Sequence, residues 1–206
     1  MAKEVKAKVA LPIGLDMAYI AELLTDTTTT TYATPEYLAR AIKAVIKPIL
    51  KEGTLDSDDE VEIDESMIIG YTVSIDVSQL DDETRAKLLG HKIDADGGLI
   101  VSKDDKAPIV AFLFRSLLSD RKNYKYVALY KGSFKENEET YETGKKDGIS
   151  YQQEGTLEGN FYNRSSDGCS KYSIRSDNPK ASATKIAAWF TSVQKPADLK
   201  PPAPTV

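Results

Sequence analysis

The chain has 206 residues and carries 27 Lys and Arg against 32 Asp and Glu, a formal charge of -5. That length suffices for one domain with its own core, and the charge lacks the cationic excess of a protein that grips nucleic acid through phosphates. One cysteine, Cys169, and one histidine, His91, exclude an internal disulfide and a Cys/His zinc site, and fit synthesis in a reducing cytoplasm.

At the amino terminus lysines precede apolar residues, but Pro12, Gly14 and Asp16 interrupt the run before it reaches signal-peptide quality. No stretch approaches the roughly 18 apolar residues of a membrane-spanning helix. Thr27 to Thr31 reads as a loop or a weak strand. Over Tyr37 to Ile49 the apolar residues Leu38, Ala41, Ile42, Val45, Ile46 and Ile49 have helical spacing, with Thr34 and Pro35 as a start signal. Val45 and Ile46 before Pro48 also permit a strand.

From Glu52 to Thr84 there are twelve carboxylates and no Lys or Arg. A solvated, mobile loop is the plainest reading of the acidic part, and an electrostatic docking loop the functional one. A metal site is disfavoured, because Asp56, Asp58, Asp59 and Glu60 lack the ligand spacing and glycine turn of a calcium loop. Ile69, Tyr71, Val73, Ile75 and Val77 then alternate with polar residues, as in a strand with one buried face. Asp81 reads as the N-cap of a short helix with acidic residues in its first turn and Gly90 as its stop. His91, after that stop and without a nearby nucleophile motif, reads as a surface residue. Asp94, Asp96, Gly97 and Gly98 supply a turn.

Pro108 to Arg115 and Lys125 to Phe134 read as strands, with Arg121, Lys122 and Lys125 grouped where the chain turns between them. Gly144, Lys145 and Lys146 lack the phosphate-cradle pattern and read as a hairpin tip. In Tyr151 to Phe161, YQQEGTLEGNF, one alternate set is apolar or small and the other entirely polar, which predicts an antiparallel strand with one wet face. Asn163, Arg164 and Ser165 form a glycosylation sequon, relevant only to secretion by a eukaryote. Cys169 reads as a small, partly buried residue near a turn. Asn178 as N-cap and Pro179 at the first helical position predict a second helix, on which Ile186, Trp189, Phe190 and Val193 share a face. A proline-rich tail, expected to be extended and mobile, closes the chain. Of the eleven tyrosines, Tyr71, Tyr124, Tyr126 and Tyr130 lie at strand spacing, which favours core or subunit interface over display for sugar stacking.

The order of GLDMAYIAELLTD (Gly14 to Asp26), GTLDSDDE (Gly53 to Glu60), LLGHKIDADGG (Leu88 to Gly98) and the strands that follow resembles the phi13-type major tail proteins of phages with long non-contractile tails. The resemblance implies a mainly β fold, an antiparallel sandwich or barrel with a short flanking helix and a possible C-terminal helix. It also implies a strand within residues 37–49. A tail tube domain over 1–195 and a mobile tail over 196–206 are expected.

Members of that group are structural and not enzymes: homohexameric rings stack into the tail tube, with tape measure and tail completion proteins as partners, and DNA passes through without specific binding. No cofactor, metal or membrane is expected, and the protein would be made in the host bacterial cytoplasm and end in the virion tail. Asp56, Asp58, Asp59 and Glu60 are the candidate inter-ring contacts, with Arg121, Lys122 and Lys125 as their counter-charges; Glu154 and Glu158 are candidates to face the lumen. The rival readings are a glycan-binding sandwich of a tail tip and the tube protein of a contractile tail or secretion needle.

Overall fold

Alternation of branched and aromatic residues with polar ones builds a large, entirely antiparallel sheet. The computed structural model describes residues 9–57, 60–137 and 156–197. In chain order the elements are β1 (Pro12–Asp26), β2 (Thr30–Tyr32), β3 (Glu36–Ala39), β4 (Ala41–Ser57), β5 (Glu60–Val77), α1 (Asp82–Leu89), β6 (Lys92–Ile93), β7 (Leu99–Ile100), β8 (Val110–Leu118), β9 (Tyr124–Lys135), β10 (Thr156–Tyr162), β11 (Lys171–Arg175) and α2 (Ala183–Ala187). The main sheet runs β2-β1-β8-β9-β10-β5-β4, with β3 also pairing β1 and β11 also pairing β9, while β6 and β7 form a separate hairpin.

The sheet curls around one apolar cluster and carries a second on its outer face. Inside, Ala18, Ile20, Val73, Ile75, Phe112, Leu129, Phe134 and Phe161 pack with Leu88 and Leu89 of α1, and Leu15 of β1 and Ile46 of β4 join the same cluster. Outside, Ala111, Leu113, Tyr126, Ala128 and Tyr130 are covered by Trp189, Phe190 and Val193 from the C-terminal segment. Two bulges change which residues face in, because a one-residue slip flips a strand's faces. Between the pairs Val110↔Gly132 and Phe112↔Leu129, three steps of β9 match two of β8, so the inward set passes from Val127 and Leu129 to Phe134. In β1 the extra residue lies between Asp16 and Tyr19, where Met17 adopts φ 55.

α1 follows its sequence signals closely. The Asp81 side chain accepts from the Thr84 amide, and Gly90 closes the helix at φ 79. Only glycine fits there, since a Cβ would strike the Lys106 carbonyl as well as strain the backbone.

Residues 37–49 are extended, in β3 and β4, and not helical; β-branched Ile42, Val45, Ile46 and Ile49 suit a strand, and Pro48 suits a terminal one because its missing N–H leaves no ladder bond unmade there. The second helix starts at the Ser182 cap instead of Asn178, because the amide of Ala181 donates to the Asn178 carbonyl and closes a separate turn first. His91 is not a surface residue: its side chain is 8% exposed, with Nδ1 2.8 Å from the Asp105 carboxylate. No helix among the described residues is long and apolar enough to cross a membrane.

Candidate assembly surfaces

The acidic tract is a hairpin and not a loop. β10 pairs β5 only from Gly70 to Asp76, whereas β4 follows β5 from Val77 down to the pair Ser57↔Glu60. Residues 50–57 and 60–69 therefore form a two-stranded arm with no third strand among the described residues. The signal was present in the alternation Glu60, Val61, Glu62, Ile63, Asp64, a period of two that the density of carboxylates obscured. Leu50, Met67 and Ile68 on the arm are exposed, Met67 at 67%. Asp56 lies near the end of β4 and Glu60 at the start of β5, while Asp58 and Asp59 lie outside the described residues.

Register fixes the direction of the arm. Tyr162 of β10 stands opposite both Gly70 of β5 and Lys131 of β9, and these two strands run the same way. Ten residues back from Gly70 is Glu60, and ten back from Lys131 is Arg121; each stretch spans about 30 Å when extended. The arm thus runs toward the end of the sheet that carries the β8–β9 turn. Arg121 and Lys122 are exposed in that turn, Arg121 at φ 55, and Lys125 is the second residue of β9 just after it. Arg121 and Lys122 in the turn and Lys125 in the first residues of β9 all lie toward the end to which the arm points.

The outer face of β10 and β5 carries none of the second apolar cluster. Glu158 stands there half-buried, between Ser74 of β5 and Lys135 of β9. Its neighbours are hydrogen-bonded polar pairs, Thr72 to Asn160 at 3.0 Å and Thr156 to Asp76 at 3.0 Å. Leu157, Gly159 and Phe161 are buried on the opposite face, as the alternation predicts. Glu154, like Gly144 to Lys146, lies outside the described residues.

Between these surfaces a buried ionic lattice joins β1, β2, β9 and the 163–170 connection. Arg164, marked in the sequence only by its sequon, is 1% exposed, is held by Asp167 through both carboxylate oxygens, and lies 3.7 Å over the Tyr130 ring. Burial opposes its charge, but Tyr130, Tyr32 and Asp167 outweigh burial and raise its pKa. Beside it the Asp26 carboxylate accepts from Lys131 Nζ at 2.6 Å, from the Ser165 amide at 3.0 Å and from the Thr30 hydroxyl at 3.0 Å. Burial pushes the Asp26 pKa up, yet these donors together hold it well below the usual carboxylate range.

A carboxylate depressed in the fold contributes its full stability above the unfolded value near 3.9, and that contribution fades as pH falls from about 4 toward the folded value. Asp26→Asn is expected to cost about 1–3 kcal/mol at neutral pH, as for loss of hydrogen bonds to a charged group. It should also flatten the acid limb of stability against pH, followed by urea unfolding from pH 7 to 3; parallel curves for the two proteins would contradict this role.

Among the described residues most tyrosines are spent in packing. Tyr126 and Tyr130 are buried, and Trp189 lies between Tyr126 and Tyr172 at centroid distances of 5.5 and 5.7 Å. Cys169 is half-buried, and burial raises its thiol pKa. Among the described residues no group of three or more His, Cys, Asp and Glu could hold a metal ion. What the geometry offers is a 17-residue terminal strand, the last part of which, residues 50–57, is one side of the acidic arm, and a polar outer face.

A family model described as phage tail tube protein matches residues 53–183, from the arm to the start of α2. No curated protein matches the chain significantly.

Proposed function

The chain belongs to the phage tail tube protein family, and from that premise we propose that it is the major tail tube subunit of a long non-contractile tail, six copies closing a ring and rings stacking into the conduit for DNA. As a family member it is a structural protein of the virion tail. The observation that carries the finer reading is β4, a terminal strand of 17 residues. Among the described residues its edge away from β5 has no ladder partner, although the curl of the sheet brings β4 into contact with β1 of the same chain; such an edge is a hazard in a monomer and a joint in a polymer.

A matching edge lies at the other side of the sheet. β3 pairs β1 only from Ala18 to Ile20 and β2 only from Leu23 to Asp26, so Pro12 to Met17 have a ladder partner on the β8 side alone among the described residues. β4 and β1 run in opposite directions, since β4 opposes β5 and β1 opposes β8. An antiparallel ladder from β4 of one copy to β1 of the next is therefore possible, and repeated head to tail it closes when the rotation per subunit divides the circle.

The work of such a protein is geometric, without cofactor or catalysis. Residues 1–195 act as the tube domain, with 196–206 as an appended tail, and the acidic arm lies at the contact between rings. The tape measure and tail completion proteins are its partners, after synthesis in the host cytoplasm. A conduit has to let DNA slide, so the polar face with Glu158 suits the lumen, where added cations would attract phosphate. Glu158→Lys is expected to leave tubes intact and slow DNA ejection from assembled particles; ejection at the parental rate would place that face outside.

Self-assembly tests the reading. Sedimentation over rising protein concentration should show rings and then tubes, with obligate-type contacts burying more than about 2,000 Å² per interface. A strict monomer at every concentration and salt would overturn it.

A further inference from the structure

We infer that the arm is hinged at its root and has a second seat on its own subunit, the unpaired edge of β11, onto which it closes before assembly. The inference concerns the single subunit and goes beyond the tube reading above.

β10 and β11 are two parts of one strand position. Both lie on the side of β9 away from β8, β10 against Lys131 to Lys135 and β11 against Lys125 to Leu129. The Tyr130 amide donates to the Ser170 carbonyl at 3.1 Å, so the 163–170 connection is an excursion from a line that resumes at Lys171. β5 flanks β10 from Asp76 to Gly70, and in the same line it would flank β11 next. It does not: among the described residues β11 pairs β9 alone, and β5 from Ile68 to Glu60 pairs β4 alone. Lys171 Nζ nevertheless lies 5.0 Å from the centre of the Tyr71 ring, so β11 starts against β5 just where the arm departs.

The two open edges are matched in direction and level. β5 runs with β9 and β11 runs against it, so the two can form an antiparallel ladder without reversal of either. Tyr162, Gly70 and Lys131 share one level; four residues on, Ser66 is level with Val127, whose partner in β11 is Ser173. Each strand carries a bulge just past that level, at Ile69 in β5 and between Leu129 and Gly132 in β9, so the count stays in step.

The root of the arm is built to bend. Ile69 is an extra residue in β5 against β4, and a bulge interrupts its ladder and bends its strand. Gly70 beside it is held to glycine by close approach, since a Cβ would strike the Phe161 carbonyl oxygen, and it leaves the backbone at the hinge unencumbered. Unpaired edges are templates for wrong pairing, and closure covers two of them at once in a subunit awaiting assembly. The tether makes the step intramolecular, so closure does not wait on concentration.

Ser66→Cys with Ser173→Cys tests the seat in a Cys169→Ser background; both serines are exposed, and an unchanged unfolding midpoint checks that the fold is kept. In dilute, unassembled subunits mild oxidation should link the two within one chain, seen as faster migration on a non-reducing gel. Ser57→Cys with Ser173→Cys, at the far end of the arm, should stay unlinked. In tubes the Ser66 and Ser173 variant should link at least tenfold more slowly, and subunits oxidised first should join tubes at least tenfold more slowly until reduced. Free subunits that fail to link, that link only between chains, or that link equally well through position 57 would overturn the seat and leave the tube reading standing, as would linkage equally fast in tubes. A parent chain that forms no tubes would overturn the tube reading alone, and the free-subunit link would still decide the seat.

Discussion

Arg164→Ala should lower stability by about 3–5 kcal/mol, the cost of removing one partner from a buried ion pair. That is a large share of the 5–15 kcal/mol that holds a typical domain together. The guanidinium is 1% exposed, and Asp167, which also accepts from the Cys169 amide at 3.1 Å, would be left without its counter-charge. The same truncation empties the space above Tyr130, whose ring the guanidinium covers. Because the 163–170 connection leads from β10 to β11, its loosening should first release β11 from β9 and expose Tyr126 and Tyr172.

Arg164→Lys should recover little, since an ammonium cannot make the two-pronged contact. Arg164→Met with Asp167→Leu should recover most of the loss, because well-packed apolar replacements of a buried pair are often neutral. Urea unfolding checks all three; a loss below about 1 kcal/mol for Arg164→Ala would show that the pair is not the clamp described.

Excising the arm should separate assembly from folding. Joining Leu50 to Ile68, which stand opposite each other, through an Asn-Gly turn deletes residues 51–67 and keeps a two-residue hairpin. The members of β4 and β5 in the inner core are Ala41, Ile46, Tyr71, Val73, Ile75 and Val77, all outside the excised stretch. The unfolding midpoint should therefore move little, while tube growth is lost at any concentration that polymerises the parent. Salt should weaken the parent's growth in the same direction, since each exposed pair contributes only about 0–1 kcal/mol and many copies act together. Normal tubes from the shortened chain would reduce the arm to a surface hairpin.

The parts of this fold legible in the sequence are those in which a local rule and the tertiary structure agree. Ile69 to Val77 and the described part of Tyr151 to Phe161 alternate cleanly because one face is buried and the other wet, and Asp81 and Gly90 mark α1 by cap chemistry that needs no partner. Tyr37 to Ile49 has helical spacing and is nevertheless extended, because pairing with β5 along the whole of β4 outweighs a weak propensity. The arm was hidden by its charge, although Glu60 to Asp64 alternate between acidic and apolar residues. The bulges at Met17 and between Leu129 and Gly132 could not be read, since a shift of face depends on the partner strand. Arg164 and His91 were obscure for a related reason: a buried polar side chain is held by residues distant in the chain or in an unremarkable local pattern, Tyr130 and Asp167 for one and Asp105 for the other.

Electron microscopy of the purified protein and of intact virions tests the central claim most directly. Hollow tubes built of stacked six-membered rings, matching the tail shaft of the virion and labelled along its whole length by antibody to this chain, are the predicted result. Dispersed monomers or closed small oligomers from the purified protein, with label confined to the tail tip, would contradict it.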